Sequence, residues 1–265
     1  MRKMMLSVAV GLALATPLLA EAAQVQLRVS VENLASSNGV SFAPLRVGFH
    51  SGSYDAFNNG EVATAPIISV AEGGSGADWF PAFAAADPSA VLGSVLPNPA
   101  GPLLPGGTGS AMFTLDTSIN RFFTFGAMVI PSNDHFIGND RPDRFELFDA
   151  NGNLQIQSIS QRGRDIWDAG SEATDAANAA FLVGGVNDLR TPQNGVVSFD
   201  FAELLAFSGL TTAAGYVFDP QLSADVEIYR ISFEIVQPTP VPLPAALPLL
   251  LSALGLASAR FKRRA

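Results

Sequence analysis

Acidic side chains gather in one part of the sequence, residues 130 to 175, among Gly, Asn and strand-like apolar runs. They are Asp134, Asp140, Asp143, Glu146, Asp149, Asp165, Asp168, Glu172 and Asp175. A hard cation such as calcium takes about six to eight oxygen ligands from carboxylates, carbonyls and water, and loops at strand ends can converge to supply them. The segment is therefore a candidate cation site. The alternative interpretation is a solvated acidic face, which is what most runs of charge are.

Two further features have the residue types of a metal site, and each has a simpler interpretation. His50 stands beside aromatic residues, where a lone histidine is usually structural. Asp149, Asn151 and Asn153 have the every-second-residue spacing of a calcium loop, but Gly152 comes too early and the distal Glu is missing. We therefore predict a structural His50, and a hairpin turn at Asn151-Gly152, because Asn-Gly accepts the positive φ of tight turns.

Familiar catalytic motifs do not occur in this sequence. There is no G-x-S-x-G and no H-E-x-x-H, and the chain has only 2 histidines. Because cysteine is absent, disulfides, thiolate catalysis and zinc-thiolate sites are excluded. A pair of carboxylates can still hydrolyse a glycosidic bond. A glycoside hydrolase is therefore the less favoured alternative to a non-catalytic binding module.

Both ends of the sequence resemble targeting signals. Residues 1 to 23 combine Arg2 and Lys3 with an apolar run and small residues, which predicts a secretory signal peptide. Residues 238 to 265 contain a Pro-rich linker, an uncharged apolar stretch and a basic tail. The apolar stretch approaches the roughly 20 residues needed to cross a bilayer, and the basic tail would stay in the cytoplasm.

The C-terminal stretch VPLPAALP, followed by the apolar and basic segments, resembles the PEP-CTERM class of bacterial sorting signals. Leu243 stands where that family usually has Glu. The resemblance implies cleavage by an exosortase-type enzyme after export. It also implies transient anchoring in the inner membrane of a Gram-negative bacterium, and delivery to the cell surface or extracellular matrix. An ordinary tail anchor is the alternative.

The residues between these signals, 24 to 237, form the predicted domain. They contain 9 arginines, no lysine and 23 carboxylates, a formal net charge of −14. The electrostatic field of such a negatively charged domain repels phosphate backbones, so nucleic acid is not an expected partner. The same field attracts cations.

Hydrophobic periodicity predicts the fold of this domain. Apolar residues alternate in residues 24 to 32 and in 225 to 236, which predicts two half-buried strands, the second with a bulge. Residues 121 to 130 are apolar on both faces and predict a central strand covered on each side. Pro-rich and Gly-rich residues 94 to 110 predict an exposed connector. Ala-rich residues 171 to 181 predict a short helix or a helical loop. About eight such strands without strand-helix repeats predict an all-β protein, an antiparallel β-sandwich with one or two short helices in loops.

Three stretches together resemble the spondin N-terminal domain, a module of F-spondin, mindin and many bacterial exported proteins. The first is PLRVGFHSGSYDAFNNGEVATAPIISVAEGG, residues 44 to 74. The second is MVIPSNDHFIGN, residues 128 to 139, which is similar to the family's strand end S-P-D-W-F-V-G. The third is DAGSE, residues 168 to 172, which is similar to D-A-G-T-D. The resemblance covers most of the predicted domain.

The spondin resemblance implies an antiparallel β-sandwich that binds calcium through Asp134, Asp168 and Glu172. Glu172 replaces the family's last Asp and has a longer side chain, and His135 stands where the family has an aromatic residue. The implied function is adhesion or a role in an extracellular matrix, with a surface glycan or protein as ligand. The alternative is a purely structural envelope protein whose metal ion holds loops together.

Overall fold

The computed structural model describes residues 24–236, which form two packed antiparallel sheets. The strands are β1 (Gln24–Asn33), β2 (Ser41–Phe42), β3 (Leu45–His50), β4 (Val91–Val95), β5 (Thr108–Asp116), β6 (Phe122–Ile130), β7 (His135–Gly138), β8 (Ser158–Arg162), β9 (Ile166–Asp168), β10 (Ser198–Phe199) and β11 (Glu227–Val236). The helices are α1 (Ala65–Gly73) and α2 (Trp79–Ala86), with 3-10 turns at Gly163–Asp165 and Glu203–Phe207. The smaller sheet has the order β5-β1-β11-β8, and the larger has β10-β9-β7-β6-β3-β4, with β2 also paired to β6. The predicted all-β antiparallel sandwich is confirmed.

None of the helices between residues 24 and 236 is long and apolar enough to cross a membrane. The predicted signal peptide and the predicted sorting helix fall outside the described residues.

The core between the sheets is formed by apolar side chains that alternate along the strands. In β1, Leu27, Val29 and Val31 are buried, while the residues between them are only partly buried. In β6, residues 123 to 130 are all buried, because one face packs on the smaller sheet and the other lies under α1. The prediction of a central strand covered on each side is therefore confirmed. The predicted bulge is also present, as a register shift between Glu227 and Tyr229 of β11.

The sequence predicts one or two short helices in loops but not their positions, and the two that form, α1 and α2, cover the outer face of the larger sheet. Pro66 lies in the first turn of α1, and Gly74 ends the helix in the left-handed conformation, with φ +57°. Their buried residues form a second apolar cluster with the outer face of the sheet. The close packing depends on Gly48 in β3, since a Cβ there would lie 2.4 Å from the ring of Phe83.

Of the two predictions for residues 171 to 181, the short helix is wrong. Its backbone N–H groups bond to distant parts of the chain: Ala173 N donates to Thr191 O at 2.9 Å, and Ala180 N donates to Ser132 O at 2.9 Å. The high helix propensity of alanine is therefore overridden by tertiary hydrogen bonds.

Two loop predictions hold in part. At the Asn151-Gly152 turn, Asp149 N donates to Asn153 O at 3.1 Å and Gly152 has φ +79°, which confirms the tight turn. The two strands that a hairpin has on either side of its turn are reduced here to an isolated bridge between Phe148 and Leu154. The connector predicted at residues 94 to 110 includes the ends of β4 and β5, and its Leu103 is buried in the core.

Candidate metal centre

Strand register places two potential ligands side by side. His135 opens β7 and Asp168 closes β9, and the two residues are directly paired in the antiparallel ladder. Residues paired in this way project from the same face of a sheet. Their neighbours Phe136 and Trp167 pack in the cluster beneath the helices. Because side chains alternate along a strand, His135 and Asp168 project to the opposite face, toward the interior of the sandwich.

The segment that follows β9 wraps around the side chain of Asp134. Asp134 Oδ2 accepts hydrogen bonds from Ser171 N at 2.8 Å, Ser171 Oγ at 3.1 Å and Glu172 N at 2.9 Å. The wrap requires Gly170, whose φ is +64° and where a Cβ would lie 2.7 Å from Val196 N. The DAGSE segment thus acts chiefly as a cradle of backbone donors for the Asp134 carboxylate.

The carboxyl groups of Asp134 and Asp168 interact with each other in the interior of the protein. Each affects the pKa of the other, and the residues are only 1% and 7% exposed. Burial, followed by the charge of Asp168, raises the pKa of Asp134 to about 7. Burial also raises the pKa of Asp168. Within residues 24–236, no arginine forms an ion pair with either carboxylate. Two acids this close share a proton or need a cation between them.

Glu172, the third predicted ligand, has other partners. Its Oε2 accepts a hydrogen bond from Arg190 Nη1 at 2.9 Å, and its Oε1 accepts one from Asn133 Nδ2 at 3.2 Å. Arg190 also pairs with Glu72 at 3.2 Å, so one guanidinium links two acids. The structure therefore brings Asp134 and Asp168 together and directs the carboxylate of Glu172 to Arg190.

Two residues that sequence reasoning did not choose complete the cluster. His135, Asp168 and Glu203 each offer a ligand atom within 4.8 Å of the others, the one such group of three among residues 24–236. His135 is 1% exposed, and neither ring nitrogen has a hydrogen-bond partner. Burial lowers the pKa of His135 to about 4, against the charge of Asp200, so the ring is neutral. In the sequence, the one feature that pointed to this cluster is His135 itself, which replaces the aromatic residue of the spondin motif. Glu203 lies in a 3-10 turn and belongs to no motif.

His50 is structural, as predicted. It is fully buried, its Nδ1 accepts a hydrogen bond from Gly52 N at 3.1 Å, and its Nε2 lies 3.0 Å from Thr124 Oγ1. The Nδ1 acceptor role leaves the proton on Nε2, so the ring is neutral and both nitrogens are used.

Several of the remaining acids in the segment fit the simpler interpretation of an acidic face. Asp143 and Glu146 form ion pairs with arginines. Asp149 accepts hydrogen bonds from the backbone of its own turn, and Asp165 accepts one from Arg162 N. The calcium-loop interpretation of the Asp149 turn is therefore not needed.

An open groove of about 420 Å³ runs along the outer side of the DAGSE segment. It is lined by Glu72, Ser171, Arg190 and neighbouring residues, and not by Asp134, Asp168 or His135. The carboxyl pair is thus closed off from this groove.

No protein-family model and no curated protein matches this chain. The likeness to the spondin N-terminal domain accordingly rests on the three stretches quoted above, and the function has to be argued from the site.

Proposed function

We propose that this chain is a non-catalytic, exported β-sandwich module that binds a divalent cation at Asp134 and Asp168. The observation that carries the proposal is the burial of these two interacting carboxyl groups, which have no arginine partner among residues 24–236. Two ionised carboxylates that face each other in a medium of low dielectric constant repel strongly. A divalent cation removes that repulsion, and calcium is the cation that the spondin resemblance implies.

The burial of the pair supports a structural role for this cation. Asp134 precedes β7 and Asp168 ends β9, so one ion would join two loops of the larger sheet. Since neither carboxylate lines the open groove, the cation would be closed off from a surface ligand. The adhesive or matrix role implied by the resemblance would then belong to the surface of the module, with the metal ion holding its loops in place.

The geometry of the pair favours binding over catalysis. Glycosidases place two carboxyl groups roughly 5 to 9.5 Å apart on either side of a sugar bond. Asp134 and Asp168 are instead nearly inaccessible to solvent. A polysaccharide could not reach such a pair without displacing the loops above it.

Calcium titration of the full chain, kept in mild detergent because of its apolar ends, tests the cation site. A ligand at 100 times its Kd adds about 2.7 kcal/mol to the free energy of unfolding. We expect saturable calorimetric binding and a higher melting temperature, both lost in Asp168→Asn. Asp188→Asn, a change at an exposed aspartate, is the matched control. If no divalent cation binds saturably, the proposal fails.

Export and adhesion are tested in cells. A host strain that lacks the chain should attach less well to surfaces, and the wild-type gene should restore attachment. Fractionation should find the chain outside the cytoplasm. A cytoplasmic chain, or unchanged attachment, would remove this part of the proposal.

A further inference from the structure

A buried histidine without hydrogen-bond partners needs an explanation. Burying a polar group without a partner costs free energy, of the order of 1 to 3 kcal/mol in proteins. Three residues among those described have such atoms: Tyr54, Trp79 and His135. Tyr54 and Trp79 lie in the apolar cluster beneath the helices, whereas His135 lies among carboxylates. His50, with both ring nitrogens hydrogen-bonded, is how a structural histidine is accommodated in the same protein.

The charged groups near the His135 ring are carboxylates. A ring nitrogen lies within 4.8 Å of carboxylate oxygens of Asp168 and Glu203. Its Nδ1 is 3.9 Å from Asp134 Oδ1, too far for a hydrogen bond. Thr174 Oγ1 donates to Glu203 Oε2, which fixes this carboxylate and leaves its Oε1 for another partner. A neutral imidazole and several carboxylates therefore surround one point.

We propose that His135, Asp168 and Glu203 bind a first-row divalent transition metal ion, with zinc as its representative. The inference rests on the proposed function and deepens it, because it names the metal class and replaces Glu172 as a ligand. Calcium takes oxygen ligands, whereas imidazole nitrogen suits zinc and its neighbours. Zinc binds nitrogen and carboxylate oxygen at about 2.0 to 2.2 Å, so tetrahedral ligands lie about 3.4 Å apart. The ligand atoms of the three residues now lie within 4.8 Å of one another, so small side-chain movements would bring them to that spacing.

The three ligands come from three separate segments. His135 opens β7, Asp168 closes β9, and Glu203 starts the 3-10 turn that follows β10. Asp134 would provide a fourth oxygen, through the Oδ1 atom that the DAGSE cradle leaves without a hydrogen bond. Glu203 is only half-buried, so the metal ion would enter from its side.

Paired zinc and calcium titrations of the chelator-stripped full chain test the inference. We expect one zinc ion per chain, bound at least about tenfold more tightly than calcium, since nitrogen favours zinc. His135→Leu has a side chain of similar volume and no nitrogen. It should weaken zinc binding by about 100-fold, because even loss of an outer-shell partner costs 10-fold to 100-fold. It should not lower the melting temperature of the metal-free protein.

Nitrogen NMR of the histidine rings decides the case even if His135→Leu does not fold. The chain contains 2 histidines, so selective labelling gives two ring systems. Zinc should shift a ring nitrogen of His135 and leave His50 unchanged. Two results would overturn the inference and leave the proposed function standing. In the first, calcium binds but zinc does not shift the His135 signals. In the second, His135→Leu binds zinc as tightly as wild type does. If neither ion binds, both fail.

Discussion

The buried carboxyl groups of Asp134 and Asp168 interact with each other where the chain enters β7 and where it leaves β9. Asp134 already receives three hydrogen bonds on one oxygen, and Asp168 receives one from Gly170 N at 2.6 Å. These donors stabilise the charged forms, whereas burial and mutual repulsion oppose them. The pair is therefore costly when fully ionised and becomes favourable once a cation binds.

Asp168→Asn should stabilise the metal-free protein. The amide keeps the size of the side chain and can donate to Asp134, which replaces a repulsion by a hydrogen bond. We expect a gain of about 1 kcal/mol, or roughly 2 to 4 °C in melting temperature, at pH 8 in chelator. With saturating divalent cation the order should reverse, because only wild type gains stability from the ion. Equal loss of stability in chelator and in metal would contradict this prediction.

Arg190→Ala should destabilise the protein without removing cation binding. The Glu172 side chain is 0% exposed and that of Arg190 is 31% exposed. Loss of Arg190 therefore leaves a buried carboxylate without the guanidinium that neutralises it. We expect a loss of about 1 to 3 kcal/mol in urea unfolding. Glu172→Gln is the companion variant, and its cation affinity should stay within about threefold of wild type if Glu172 serves the ion pair. Abolished binding in Glu172→Gln would instead make Glu172 a ligand, as the spondin resemblance implies.

Asp87 should control stability in acid. Burial alone would raise the pKa of Asp87, but hydrogen bonds from Ser51 and Ser89 outweigh it and hold the pKa well below its usual range. As the pH falls, the unfolded chain therefore binds a proton at Asp87 before the folded protein does. The stability that ionised Asp87 contributes is complete above the ordinary aspartate pKa of about 3.9 and is lost as the pH falls below it.

The test of this role is Asp87→Ala. At pH 7 the variant should be less stable by about 2 to 4 kcal/mol, since several donors lose a charged acceptor. Its stability should fall less steeply than that of wild type between about pH 4 and pH 2, measured by urea unfolding at each pH. Parallel pH profiles for the two proteins would show that Asp87 does not act in this way.

Gly48→Ala should disturb the packing of α2 on the larger sheet. The added Cβ would lie 2.4 Å from the ring of Phe83 and 3.0 Å from Leu92. Forcing an extra carbon into a packed interior costs typically about 1 to 3 kcal/mol. Gly60→Ala is not a clean control because Gly60 has φ +84°. Ala214→Gly, at an exposed loop position, makes the reverse exchange and is the control. Unchanged thermal unfolding of Gly48→Ala would mean that Phe83 moves aside freely.

Much of the β-sandwich could be predicted from period-two patterns. β1 and β11 alternate cleanly because one face of their sheet packs on the core, and β6 lacks alternation because both of its faces are covered. The positions of helices α1 and α2 could not be predicted, since the helices have only 9 and 8 residues and lie between glycines and prolines. In residues 171 to 181 the local sequence favours a helix, because alanine has a high helix propensity, but long-range hydrogen bonds decide the structure.

The candidate site could be predicted only in part. Asp134 and Asp168 stand in two stretches that resemble spondin motifs, and the pairing of β7 with β9 brings them together. Glu203 lies 35 positions beyond Asp168 in sequence, and only the fold joins them. The partner of Glu172 is equally remote from any motif, because Arg190 reaches it from a later loop.

The most direct test of the cation site is the metal content of the protein in the form that its native host produces, purified without added metal or chelator. Mass spectrometry of the digested protein should find one divalent cation per chain in wild type and almost none in Asp168→Asn. The identity of that cation also separates zinc from calcium. Metal well below one ion per chain, at the same level in both proteins, would contradict a cation at Asp134 and Asp168.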